Sequence, residues 1–186
     1  MNRPLHRRTK LTAVAAALLI TAGAAGSAVA SGESRTSGKP REAAALTGTA
    51  KLYRSLGDDI TFTFDAHLAA EDKDDPSKAT GTFRFSHYLD GKGAFAEAEV
   101  DCLVTGGKVA VVSGVITKSD REGAEGKRVG VTVHDAGRKD RLGYSWASTG
   151  SPAATPDLPK CVSSAPFEKV KAGTGDFHVL PWQPAL

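Results

Sequence analysis

From Ile60 onward the chain repeats one signal, an apolar residue at every second position, and that period belongs to β-strands with one buried face. Ile60, Phe62, Phe64, Ala66 and Leu68 alternate with Thr61, Thr63, Asp65 and His67. Gly81, Phe83, Phe85 and His87 alternate with Thr82, Arg84, Ser86 and Tyr88, and Ala96, Ala98, Val100 and Cys102 with Glu97, Glu99 and Asp101. The pattern recurs at Val129, Val131 and Val133, at Leu142, Tyr144 and Trp146, and at Phe177 and Val179. Val109 to Ile116 is almost continuously apolar, as in a strand covered on both faces or bulged at Gly114. Residues 50–54 read as a short edge strand. Asp90-Gly91, Gly106-Gly107 and Asp135-Ala136-Gly137 supply turns between these runs. No segment beyond the N-terminal run carries a convincing helical period, and Ala43 to Leu46 is at most the start of a turn. The fold class that follows is all-β: an antiparallel meander of about eight strands, sequential strands adjacent, closing as a β-barrel or β-sandwich.

The N-terminus reads differently. Arg7, Arg8 and Lys10 precede an uncharged, Ala- and Leu-rich run from Leu11 to Ala25, and Ala28-Val29-Ala30 offers the small residues that a signal peptidase accepts. Residues 1–30 are therefore expected to be a signal peptide cleaved after Ala30, and the protein to be secreted. The run is short and rich in Gly, Ser and Thr for a membrane span. Arg7-Arg8-Thr9-Lys10-Leu11 faintly resembles a twin-arginine signal, but Lys10 stands where such signals favour an aromatic residue, so general secretion is expected. Residues 31–45 hold too little bulky apolar surface to offset ordering and read as a flexible leader. Residues 46–186 then form one β-domain.

Charge narrows the partners. Arg3, Arg7, Arg8 and Lys10 account for four of the 24 basic residues, and all 21 acidic residues lie beyond residue 30. The remainder, 20 basic against 21 acidic, sits near neutrality, which gives no electrostatic reason to bind nucleic acid or an anionic membrane.

Two cysteines, Cys102 and Cys161, remain in an exported chain, and an even count there favours a bridge over two free thiols or a metal pair. Closing so long a loop contributes on the order of 4 kcal/mol. Cys161 lies in the longest irregular stretch, Ser148 to Pro166, where Pro152, Pro156, Pro159 and Pro166 withhold ladder donors. A bridge is expected to tie that loop to the inward face of the strand carrying Cys102.

Five stretches also occur in a familiar order: Ala79 to His87, Val100 to Gly107, Val133 to Gly137, Asp140 to Trp146 and Gly173 to Val179. Together they resemble small secreted bacterial proteins labelled "repetin", which lack the repeats that label implies. More distantly they are similar to the β-rich post-COAP-like C-terminal module of bacterial surface proteins, where a Gly-x-Phe-x-Phe strand, a Val-x-Asp-x-Gly corner and a final Gly-x-Phe strand recur. The resemblance covers residues 60 to 182 and implies a fold and export, with no activity and no catalytic residues.

Sites with chemistry are sparse. Glu71, Asp72, Asp74 and Asp75 form an acidic loop that a hard cation such as Ca²⁺ can use, but their spacing is not that of an EF-hand. Asp135 and Asp140 flank Gly137, and acceptance of turn amides is the favoured reading over a cation site. His67, His134 and His178 lie on the polar side of their strands, whereas His87 falls on the apolar side, where a half-buried ring bonded to backbone is expected. Gly143-Tyr144-Ser145-Trp146-Ala147 lacks the final glycine and the strand-to-helix turn of a nucleophile elbow. Tyr144 and Trp146 read as core residues that also suit a pocket wall, and Trp182 as a cap over one end of the sheet.

The expected function is a non-enzymatic exterior domain that binds an extracellular protein or a small apolar ligand, or serves structurally, with no cofactor. Internal binding requires a cavity of roughly 300 Å³ or more. One alternative is a small hydrolase that brings His67, His134 or His178 to Asp65, Asp135 or Asp176 at a concave site. Another is a protease inhibitor presenting the 148–166 loop.

Overall fold

A computed structural model describes residues 41–183; the signal peptide and most of the leader expected from the sequence lie outside the described residues. The rest forms nine antiparallel strands: β1 Glu42–Lys51, β2 Asp59–Ala69, β3 Thr80–Leu89, β4 Lys92–Gly106, β5 Val109–Ser119, β6 Arg128–His134, β7 Arg141–Tyr144, β8 Glu168–Lys169 and β9 Asp176–Leu180. They make one sheet in the order β8-β7-β6-β5-β4-β3-β2-β1-β9. Eight strands follow one another as a meander, and β9 returns to lie beside β1.

The sheet curls into a half-barrel because each strand hides one face. Phe62, Phe83, Val131 and Phe177 are all buried, and they share one apolar cluster with Leu46, Leu68, Leu103, Val112 and Leu142. Their polar alternates, among them Thr63, Asp65, Thr82 and Arg84, stay in water. Each buried phenylalanine contributes about 2–3 kcal/mol through area removed from water. The rings also pack: Phe62 lies 5.9 Å from Phe85 and 6.2 Å from Trp146 between centroids.

Three expectations need correction. The first strand begins at Glu42, so residues 42–45 are strand and belong to neither leader nor turn. Ala44, Ala45 and Leu46 are buried, and β1 lies between β2 and β9, so it is no edge. An alanine run hides this because it shows no contrast between faces. There is also a ninth strand, the two-residue β8, too short to display a period. Finally, Cys102 does not point inward. Val100 pairs with Gly114 and Cys102 with Ser113, which leaves Asp101 as an extra residue in β4. This bulge reverses the side-chain alternation, so Leu103 enters the core cluster and Cys102 lies outside it.

The outer face around Cys102 is covered by the proline-rich loop. Cys161 bridges to Cys102 with their Cα atoms 5.3 Å apart. Glycines admit the loop: a Cβ on Gly130 would collide with the Val162 carbonyl, and one on Gly143 with the Ala165 carbonyl. Polar contacts fix it further. Ser113 Oγ donates to Asp101 Oδ1 at 2.6 Å and accepts the Cys161 N–H at 3.0 Å. Arg128 Nε donates to Asp101 Oδ2 at 2.6 Å, and its Nη1 donates to the Leu158 carbonyl at 3.2 Å.

The two margins of the sheet approach each other along a seam. Leu52 forms a bridge with Val170, Tyr53 N–H donates to the Lys169 carbonyl, and Lys171 N–H donates to the Lys51 carbonyl. Where β9 has no strand on its outer side, carboxylates receive its donors: Phe177 N–H reaches Asp140 Oδ2 at 3.1 Å and Val179 N–H reaches Asp135 Oδ2 at 3.2 Å.

Candidate functional site

Strand lengths create a concavity at one end of the sheet. β4 runs outward to Lys92, but β5 stops at Ser119, opposite Ala96. Beyond that point one edge of β4 has no neighbouring strand. The missing neighbour leaves a groove of about 420 Å³, walled by Gly93 to Ala96 on one side and by Ser119 to Arg121 and Gly150 to Pro152 on the other. Its floor is Phe85, Ala96, Ala124 and Trp146, and the Phe85 and Trp146 rings stand 4.3 Å apart. An apolar floor beneath a polar rim is the usual form of a small-ligand site.

Side chains stand in for part of the missing strand. Phe95 N–H donates to Asp120 Oδ1 at 2.7 Å, and the Phe95 carbonyl accepts Ser119 Oγ at 2.7 Å. Gly93 comes next on this edge. Asp90 and Gly91, both at positive φ, form a two-residue turn with Leu89 opposite Lys92. That closing pair is hydrogen-bonded, so Lys92, Ala94 and Ala96 bond toward β3 while Gly93 and Phe95 present their amides to the open edge. The Gly93 N–H and C=O have no partner there among the described residues.

The rim carries further polar groups. His87 Nε2 lies 3.0 Å from Asp58 Oδ2, and its side chain is exposed. The expected half-buried, backbone-bonded histidine is thus replaced by an exposed one in hydrogen-bond contact with a carboxylate, because the strand outruns the core at this end. The Arg121 guanidinium has no acidic partner among the described residues. Nor does the Trp146 indole N–H find a protein acceptor among them. Near the same end, the Arg54–Glu168 pair meets in two 2.7 Å bonds beside Tyr144. Burial raises the Tyr144 phenol above its ordinary value, with Glu168 adding to the rise.

The acidic candidates are occupied elsewhere. Asp72 pairs with Lys78 at 2.7 Å, and Asp75 accepts both the N–H and the hydroxyl of Ser77. Asp74 lines a second hollow of about 280 Å³ with Leu68, Leu103 and Trp182. Trp182 covers that end, with its indole N–H on the Lys73 carbonyl. No group of three or more His, Cys, Asp or Glu suited to a metal ion occurs among the described residues.

Asp135 and Asp140 come together at the seam as acceptors. Asp140 Oδ1 also takes the Ala136 N–H at 2.8 Å, and Asp135 takes the Lys108 ammonium at 3.1 Å. Burial is the largest influence on Asp140 and lifts its carboxyl above the usual range; the Phe177 and Ala136 amides oppose this and neighbouring Asp176 reinforces it. Burial also acts upward on Asp135, yet the Val179 and Gly137 amides and Lys108 together hold it below its ordinary value.

Among the histidines, only His67 meets one of the aspartates sought, Asp65, at 2.8 Å, with Glu42 3.0 Å from its other nitrogen. This pair stands on the outer face of β2 and lines none of the hollows described above. His134 and His178 bond to neither Asp135 nor Asp176. The 148–166 loop lies flat against the sheet, and Cys161 beside exposed Lys160 adopts φ +60°, unlike the extended backbone that β-type pairing with a partner needs. Alternation had marked His87 and Trp146 but not Asp58, Gly93, Asp120 or Arg121, whose roles depend on where β5 ends.

Among the described residues no helix is long and apolar enough to cross a membrane. Comparison with known proteins returned no matching family, no matching curated protein and no matching solved structure.

Proposed function

We propose that this chain is a secreted, non-enzymatic binding domain whose working surface is the groove beside β4. The observation that carries the reading is the cavity itself. At about 420 Å³ the open groove is of the size of small-ligand clefts, and it sets two core aromatics, Phe85 and Trp146, beneath a rim that carries Arg121, unpaired among the described residues. The disulfide suits an oxidising exterior, and the sequence's resemblance to small secreted bacterial proteins supports export. The seam contacts support a second reading, that the half-barrel behaves as a closed barrel, a stiff frame for a pre-formed site. For the hydrolase alternative, the contact among the residues expected from the sequence, His67–Asp65, lies on the outer face away from the hollows, and the His–Asp contact at the groove is the exposed His87–Asp58 pair on its rim, so binding is preferred.

The test is titration of the ¹⁵N-labelled domain with small apolar and aromatic fragments, indole among them. Amide shifts gathered at Gly93 to Ala96, Ser119 to Arg121 and Gly150 to Ser151 support the groove. Saturable shifts confined to other surfaces remove it. Export is checked by intact mass of protein recovered from culture medium, which should begin at Ser31 with both cysteines oxidised.

A further inference from the structure

Resting on the groove as the working surface, we infer that its natural occupant is an extended peptide that adds to the open edge of β4, with one apolar side chain on the floor and an acidic residue at the rim.

Three features lead there. The first is backbone. Gly93 offers an N–H and a C=O side by side on a strand edge, and neither has a partner among the described residues. Backbone groups in such a pair are strong, directional binders for another extended chain. Asp120 and Ser119 already occupy Phe95 at the inner end, so they stop the edge and limit the added strand to a few residues. The second is shape. Opposite Gly93 the groove deepens over Phe85, Ala96, Ala124 and Trp146, enough for one side chain from alternate positions of a strand. The third is charge. Of the charged side chains that line the groove, Asp120 is engaged by the Phe95 N–H and His87 by Asp58, whereas the Arg121 guanidinium has no acidic partner among the described residues, which favours an acidic residue on the occupant.

The experiment titrates the ¹⁵N-labelled mature domain with the blocked pentapeptide acetyl-Thr-Thr-Leu-Thr-Glu-amide, with the same peptide N-methylated at each residue in turn, and with a Lys-for-Glu counterpart. Only the peptide residue opposite Gly93 points its N–H at this edge, since Phe95 is occupied and Gly91 lies in the turn. N-methylation at that one residue is therefore expected to weaken binding roughly fivefold or more, and at its neighbours to leave it nearly unchanged. The Gly93 amide should shift and exchange more slowly, and the Lys peptide should bind more weakly.

Equal affinity for all methylated forms overturns the inference. So does protection of Gly93 by raised protein concentration alone, since the occupant is then a second copy of this chain. If indole shifts the groove amides and no peptide does, the groove remains a binding site but not for peptides. If neither shifts them, both readings fall.

Discussion

Asp135 and Asp140 perform the same task at the seam yet respond to acid in opposite directions. Asp135, held below its ordinary value, contributes stability that is present above about pH 4 and is lost as pH falls through its folded pKa. Asp140, lifted above its ordinary value, contributes stability that is fully present below about pH 4 and is lost as pH rises through its folded pKa. Urea unfolding across this range should separate them. The advantage of wild type over Asp135→Asn should shrink toward low pH, and its advantage over Asp140→Asn should shrink toward neutral pH. A pair of glycines gives a second contrast. Gly130→Ala drives a methyl into the Val162 carbonyl and should cost about 1–3 kcal/mol. Gly106→Ala meets nothing within 4 Å and should stay within about 0.5 kcal/mol of wild type by thermal melt.

At the scale of elements, what the sequence reveals depends on whether a strand has two unlike faces. β2 alternates sharply, and its buried residues were legible one by one; in β3 this holds for Phe83 and Phe85 but not His87, and β6 buries Gly130 and Thr132 as well as its valines. The first half of β1 was not, because Glu42-Ala43-Ala44-Ala45 buries small side chains without contrast. The cysteine pair was legible, but its face was not: one extra residue, Asp101, inverts the alternation, and period-two reading assumes unbroken register. The groove was hidden for a related reason. It arises from β4 outlasting β5, and unequal ends are a property of pairing rather than of either segment. The sharpest strand also supplies a check on the core. Phe62→Ala should destabilise by about 3–5 kcal/mol in chemical denaturation. Thr63→Ala, on the wet face of the same strand, forfeits only an exposed bond to Thr49 and should fall within about 1 kcal/mol.

Across the whole molecule, the loop over β4–β7 is held twice, by the disulfide and by the Asp101–Ser113–Arg128 contacts. Replacing Cys102→Ala together with Cys161→Gly, the latter suited to positive φ, should cost about 2–4 kcal/mol of global stability. Hydrogen exchange should nevertheless show the amide of residue 161 still protected by Ser113 Oγ. Loss of that protection would mean that the crosslink alone keeps the loop down. β9 has a different consequence. Its partner is β1, so the first strand of the sheet waits for the last before both of its edges are filled. During synthesis β1 therefore pairs with β2 and keeps its other edge open until β9 follows, and local hairpins alone cannot complete the interior. Such wiring delays commitment to the final fold until the chain is nearly finished.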